Sequence, residues 1–236
     1  SWISIHDQAL KGKMEGLILR RMTANSIGPD ANQVLQALAA LKWMVVLDPF
    51  PTTSSEFWRA PGQDPAKIAT EVFMLPTTHW IEKEGSFVNS GRWAQWKDQV
   101  IPPQGDARHD HWVVADIFDR VKKLYASQGG KFPDPIKDMT LAYQDPLKPS
   151  FDELAREING KDLTTGKQMA SFALLKDDGT TTAGNWIYTA SYIAGAAGNL
   201  IKRRDGILDP AKIAPTGMCF YPSWAWRWPR HRRVHY

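Results

Sequence analysis

Two short apolar runs, Trp43-Met-Val-Val-Leu47 and Val72-Phe-Met-Leu75, carry almost no polar residue, and a proline follows closely on each. Runs of this length and texture read as parallel strands buried on both faces. Ahead of them, Gly16-Leu-Ile-Leu-Arg-Arg-Met22 reads as another strand. Val34, Leu35, Leu38 and Leu41 recur at helical spacing, so Gln33 to Lys42 is a helix, with Asp30 or Asn32 as its cap. Strand, loop, helix and strand within about 30 residues make a βαβ unit, which packs right-handed and parallel. The loop Thr23 to Asp30 and the loop starting at Asp48 then lie side by side at the carboxyl edge of the sheet. Sheets of this kind take their ligands at that edge.

Ile5, Ala9 and Leu10 mark a first helix from Ser4 to Lys13, stopped by Gly12 or Gly16. Thr52 to Lys67 is a polar connection anchored by Phe57 and Trp58, and Glu82 to Asn89 is an extended excursion about Gly85. The best helix runs through Val113, Val114, Ile117, Phe118, Val121 and Leu124, with Asp110 as its cap and Gly129-Gly130 as its stop. From Lys131 the texture changes, because prolines at 133, 135, 146 and 149 separate short segments. One more helix spans Phe151 to Ile158 with Ser150 as cap, and Asp178-Gly179 is the centre of a hairpin joining Ser171–Asp177 to the run from Trp186. The expected fold is α/β. A Rossmann-like parallel sheet with flanking helices occupies residues 1–130, and a loop-rich α+β extension occupies 131–236.

Composition narrows the function classes. With 43% hydrophobic and 23% charged residues, the 236-residue chain is an ordinary globular protein. No apolar run approaches the roughly 20 residues of a membrane helix, and no signal peptide is visible. Cys219 is alone, which excludes an intrachain disulfide and a cysteine-built metal site. The 29 basic residues are mixed with 25 acidic ones until the last ten positions, so a net charge of +4 gives only a weak field. Eleven tryptophans are many for a self-contained domain, and large amphipathic rings suit surfaces that a partner covers. The chain starts in mid-pattern and ends on an apolar-basic run, Trp224 to Tyr236, so a piece of a larger polypeptide or a partner-dependent subunit is expected.

Asp48, after a buried strand, suits hydrogen bonds from ribose hydroxyls or a guanine edge, or serves as a turn residue before Pro49. Lys83, between Glu82 and Glu84, is either an exposed charge on a hairpin or a cation for a phosphate or nucleobase oxygen. Asn89-Ser-Gly-Arg92 either presents polar groups to a heterocycle or forms a turn. The usual glycine-rich phosphate loops are absent, and no serine stands in a nucleophile-elbow context. His109-Asp-His111 is the one tight histidine pair, yet it falls at a helix start, which argues against a metal site. Trp224-Ala-Trp-Arg-Trp-Pro-Arg-His-Arg-Arg233 would suit single-stranded nucleic acid by stacking and charge. A subunit interface explains it equally and is favoured.

Asp48-Pro-Phe-Pro-Thr, Phe73-Met-Leu-Pro and Glu82-Lys-Glu-Gly-Ser-Phe-Val-Asn-Ser-Gly-Arg-Trp together resemble the molybdopterin oxidoreductases, and among them the catalytic subunits of molybdenum- or tungsten-dependent formate dehydrogenases. Asp177-Asp-Gly-Thr-Thr, Gly184-Asn-Trp-Ile, Arg203-Arg-Asp and the Trp224 run resemble the membrane-associated and periplasmic formate enzymes. The resemblance implies that residues 1–130 are a dinucleotide-like segment holding one half of a bis-molybdopterin guanine dinucleotide. It places Leu47 and Asp48 at the guanosine, Lys83 and Asp110 at further cofactor positions, and Asn89 and Arg92 near the pocket. One departure stands out: where the family carries Gly-x-Asn-Pro or similar, this chain has Arg21-Met-Thr-Ala24. Thr23 falls at the asparagine position and Asn25 two residues on. The family's metal ligand, its neighbouring histidine and arginine, and its cluster cysteines have no counterpart here. The implied partners are therefore the rest of the catalytic subunit and an iron–sulfur electron-transfer subunit, with formate as substrate and no nucleic acid. The implied location is periplasmic. A relative such as a nitrate reductase and a non-catalytic nucleotide- or nucleic-acid-binding module are the competing readings.

Overall fold

The computed structural model describes residues 2–193, 195, 198–202 and 225–227. It forms two compact units, one of Ser1–Lys83 with Ile101–Lys131 and one of Glu84–Val100 with Phe132–Tyr236. Arg203-Arg-Asp, Cys219 and most of the Trp224 run lie outside the described residues.

In the first unit, β1 (Gly16–Arg20), β2 (Trp43–Asp48) and β3 (Glu71–Pro76) form a parallel sheet in that order. The α/β expectation is met. Helix α1 (Trp2–Leu10) precedes β1, and α3 (Ala31–Ala39) connects β1 to β2. Asp30 caps α3 by accepting a bond from the Gln33 amide at 3.1 Å, which satisfies one orphan donor of its first turn. Leu19 of β1, Met44 and Val46 of β2, and Val34, Leu35, Ala37 and Leu38 of α3 make the core with Phe57. Burial of each of these side chains larger than alanine contributes about 1.5–3 kcal/mol. The opposite face of the sheet leaves Ile18, Trp43 and Phe73 between 39% and 48% exposed. The Trp43 ring lies over Gly16 so closely that a Cβ there would sit 2.0 Å from it, which is why this strand begins on glycine.

The loop expected at Thr23 to Asp30 contains a single helical turn, α2 (Ala24–Ile27). The long helix is α4 (Asp110–Gln128), stopped at Gly129 with φ of 69°. Asp110 is its first residue rather than its cap. The cap position is His109, which makes no side-chain cap bond; the Asp110 carboxylate pairs with cations, as described below.

In the second unit, β4 (Gly85–Val88) and β5 (Trp93–Lys97) pair antiparallel, and Trp226-Arg227 adds a short strand beside β5. The short helix α5 (Pro133–Asp138) opens on proline, whose missing N–H costs nothing at that position. Helix α6 (Phe151–Asn159) carries a reciprocal box in which Ser150 and Glu153 bond each other's amides. The hairpin expected about Asp178-Gly179 is not formed as drawn. Asp178 does close a turn on the Thr180 amide at 2.9 Å, but Thr181-Thr182 pairs with Lys161-Asp162 instead. Phe172–Leu174 and Trp186–Tyr188 are 3₁₀ turns, each opened by a polar side chain that bonds the backbone two residues on. Such local bonds by Ser171 and Asn185 compete with strand pairing.

His6 in α1 is 1% exposed, and neither ring nitrogen has a hydrogen-bond partner. Burial lowers its pKa below the ordinary 6.5. The unfolded chain takes up this proton first, so stability is complete above about pH 6.5 and declines as pH falls below it. Denaturant unfolding across about pH 5 to 8 should show that decline. His6→Leu should flatten it and raise stability by about 1–3 kcal/mol, by removing an unsatisfied buried group. An unchanged slope in the variant would assign the decline to other groups.

Candidate functional site at the carboxyl edge of the sheet

Parallel pairing brings the ends of β1, β2 and β3 to one edge. There Arg21 N donates to the Leu47 carbonyl at 2.9 Å and Thr77 N to the Asp48 carbonyl at 3.2 Å. Just beyond β3, Arg108 pairs with Thr77 in a single parallel bridge, and the Thr78 amide donates to the Arg108 carbonyl at 3.0 Å. This pairing delivers His109 and Asp110, and with them the amino end of α4, to the same edge. Thr78 Oγ1 lies 3.1 Å from His109 Nδ1, and both residues are buried.

Asp110 is the centre of the cluster. Its side chain is 1% exposed, and three cations converge on it. Arg20 Nε donates to Oδ2 at 2.7 Å, Lys83 Nζ donates to Oδ1, and Arg21 Nε lies 3.6 Å from Oδ2. Arg21 has φ of 50°, and its Nη2 donates to the Thr78 carbonyl. Because β2 lies between β1 and β3, this side chain spans the end of the middle strand. Burial alone would raise the Asp110 carboxyl. The Lys83 bond and the charges of Lys83 and Arg20 outweigh it and hold the group well below the usual carboxylate range.

Asn25 joins the loops after β1 and β2. Its Oδ1 accepts from Thr53 Oγ1 at 2.9 Å and from Ser54 Oγ at 2.8 Å, and its Nδ2 donates to the Thr53 carbonyl at 3.2 Å. The expected adjacency of these loops is therefore found, and the Asn25 amide is committed to it. Thr23 opens α2 through its carbonyl, which accepts from Ser26 and Ile27, and makes no side-chain cap bond. Leu47 is fully buried, so only its backbone reaches the edge. Asp48 accepts from the Phe50 amide at 3.3 Å through Oδ1, which is a turn-forming bond, and its other oxygen has no partner among the described residues. Lys83 is 15% exposed and ion-paired, so it is not a charge on an exposed hairpin. Asn89 and Arg92 belong to the second unit, in the turn between β4 and β5. There Asn89 Oδ1 accepts from the Trp93 amide at 3.4 Å, and Arg92 has φ of 65°. His109 and His111 stack with centroids 5.6 Å apart. Among the described residues no three His, Cys, Asp or Glu side chains group as a metal site.

The molybdopterin oxidoreductase family profile matches residues 23–120. The chain is 40% identical over 242 residues to the nitrate-inducible formate dehydrogenase major subunit of Escherichia coli (strain K12), covering 96% of this chain and 23% of that protein. It is 38% identical over 248 residues to the formate dehydrogenase subunit alpha of Megalodesulfovibrio gigas, covering 100% of this chain and 24% of the relative. Against the formate dehydrogenase major subunit of Haemophilus influenzae the figures are 38% identity, 96% and 23%. Residues 23–120 are a molybdopterin oxidoreductase domain, and nearly the whole chain is homologous to formate dehydrogenase major and alpha subunits. It spans about a quarter of the length of these relatives. In this molybdopterin oxidoreductase segment, Thr23, Asn25, Leu47, Asp48, Lys83, Asn89, Arg92 and Asp110 all fall within the residues matched by the family profile. Arg20 and Arg21 fall just before them, and reading the sequence for site residues missed both. The signal was present as two adjacent arginines at the carboxyl end of a strand.

Breaking a buried ion pair by removing one partner costs about 3–5 kcal/mol. Asp110→Asn should therefore destabilise the first unit by roughly that amount at neutral pH. The sign of the pH effect follows from the depressed pKa. The contribution is present above the ordinary carboxylate value of 3.8 and is lost as pH falls through the lower folded-state value. Acid titration of unfolding should show a steep loss below about pH 4 in the parent chain and a shallower one in Asp110→Asn. Equal slopes would show that Asp110 carries no pairing energy.

Proposed function

We propose that this chain is part of the catalytic subunit of a formate dehydrogenase, and that it holds one pterin guanine dinucleotide of the metal cofactor along the carboxyl edge of its parallel sheet. The reading is carried by the gathering of Asp48, Lys83 and Asp110 with a surplus of cations at that edge, in a chain 40% identical to a formate dehydrogenase major subunit. In this reading the three strands and α3 are the core of a Rossmann-like fold.

The donor set fits such a group. A dinucleotide presents phosphates and a purine edge. Arg20, Arg21 and Lys83 match the phosphates, and the free oxygen of Asp48 matches the N–H groups of guanine. The Thr77 hydroxyl and Arg21 Nε are buried without a hydrogen-bond partner, and buried groups of that kind call for a ligand or water. Asp48 would bind the guanosine beside Leu47, and Lys83 and Asp110 would order the charge near it. Asn25 would hold the loops after β1 and β2 together, and Thr23 would form the wall of the loop after β1. Asn89 and Arg92, in the turn between β4 and β5, are further candidate cofactor contacts. When bound, the molybdenum or tungsten cofactor supplies two-electron redox chemistry for formate oxidation to carbon dioxide. The share of this chain is to bind and orient it.

The remaining segments of the catalytic subunit and an iron–sulfur electron-transfer subunit complete the proposal, with a periplasmic location and no nucleic acid.

In the assembled enzyme, Asp48→Ala should lower cofactor occupancy, since a charge-assisted hydrogen bond contributes about 1.5–3 kcal/mol, or roughly ten- to a hundredfold in affinity. Asp48→Asn should fold better yet still load poorly, because an amide offers one acceptor oxygen where the carboxylate offers two. Metal and guanine nucleotide per folded protein measure the effect. Full loading in a protein destabilised by about 1 kcal/mol would reduce Asp48 to its turn bond with Phe50.

A further inference from the structure

We propose that the open face of the parallel sheet, with the free edge of β1 beside it, is the docking surface of a further strand and helix from the part of the catalytic subunit outside these 236 residues. The proposal rests on the reading of this chain as a segment of that subunit, and it adds where on the first unit the remainder sits.

Alternation along the strands sorts the side chains of the sheet into two faces. Leu19, Met44 and Val46 point into the core with α1 and α3. Their neighbours point the other way, and the parallel register lines them up in rows. Arg20 and Leu47 share the row at the carboxyl end, and Ile18, Val45 and Phe73 make the next. The first row is closed: Leu47 is fully buried, and Arg20 holds Asp110 and with it the start of α4. The second row is open, with Ile18 48% and Phe73 44% exposed, and it carries no charged group. Trp43 extends the apolar surface toward β1, because its half-exposed ring lies over Gly16.

Simple dimensions give the cover that is missing. A helix is about 10 Å across and strands lie about 4.8 Å apart, so one helix covers about two strands. Three strands need two helices on each face. In the first unit α1, α2 and α3 all contribute to the core face, which leaves α4, among the described residues, as the one helix to serve the other.

Handedness gives the place of the missing piece. Connections between parallel strands are right-handed. Those from β1 to β2 and from β2 to β3 step the same way across the sheet, and both pack on the core face, α3 in one and Phe57 in the other. A right-handed connection over the open face must step the opposite way, so its strand belongs beyond β1. That edge of β1 has no neighbour among the described residues, and a bare edge is a row of backbone groups that a further strand satisfies. Parallel sheets are covered on both faces by the helices of such connections. The occupant is a piece of the same polypeptide because this chain spans about a quarter of the length of its relatives. A tethered segment outcompetes a separate molecule of equal fit.

The test is photo-crosslinking in the assembled enzyme, with Phe73→p-benzoylphenylalanine and, separately, Trp43→p-benzoylphenylalanine, each an aromatic-for-aromatic exchange. On irradiation both should cross-link to peptides of the same subunit outside these 236 residues, Trp43 to an apolar stretch of helix. Residue-resolved hydrogen exchange on the unsubstituted enzyme reads the edge without any variant. The amides of Leu17 to Arg20 should all exchange as slowly as those of Val45 and Val46 in the middle strand. The proposal is overturned by cross-links into the second unit of this chain, into another subunit or into a second copy. An irradiated side chain that captures only solvent, or fast exchange at alternate β1 amides, overturns it as well. Neither readout needs the cofactor, so the cofactor reading stands or falls separately, by occupancy in the Asp48 variants. A polypeptide that ends with these 236 residues would sink the reading as a subunit segment and this proposal together, and the mass of the denatured subunit shows which case holds.

Discussion

The first unit is organised by one buried carboxylate. Asp110 ties the end of β1, through Arg20 and Arg21, to the segment after β3, through Lys83, and to the first turn of α4. Burying a lone carboxylate costs several kcal/mol. The arrangement persists because two charge-assisted bonds and a third cation offset that cost. The same arrangement decides what the carboxyl edge can do. It holds three cations beside a 1% exposed carboxylate, where a parallel sheet presents its ligand side.

Local signals explain what was legible in the sequence. The βαβ unit could be read because Val34, Leu35 and Leu38 mark one helical face and Asp30 marks its start, while two apolar runs have the length of strands. Ser150 and Glu153 announced α6 in the same way. The misreadings share a cause, which is competition between local and distant partners. Asp110 stood where a cap would stand, but cations from β1, ninety positions away, outbid the helix amides. Ser171 and Asn185 turned expected strands into 3₁₀ turns by bonding their own backbone. Strand β5 went unread because its buried residues, Ala94 to Trp96, do not alternate.

The candidate site was partly legible for a related reason. Asp48 and Asn25 could be placed from strand order alone, and family resemblance marked Lys83 and Asp110. What each atom does depends on three-dimensional pairing. The Asn25 amide is consumed by Thr53 and Ser54, so it builds the loop. Lys83 stands in a run of charges that looks solvated, yet it is pulled inward by Asp110. Arg20 and Arg21 acquire meaning only once α4 is seated beside β1.

The central claim is that the carboxyl edge of this sheet receives the nucleotide end of a pterin cofactor. The most direct measurement is an experimental structure of the chain within its assembled, cofactor-loaded enzyme. The account predicts nucleotide density within hydrogen-bonding distance, about 3 Å, of Asp48 and of the Arg20–Arg21 pair. Nucleotide density at the opposite edge of the sheet, or an edge closed by protein side chains alone, would contradict it.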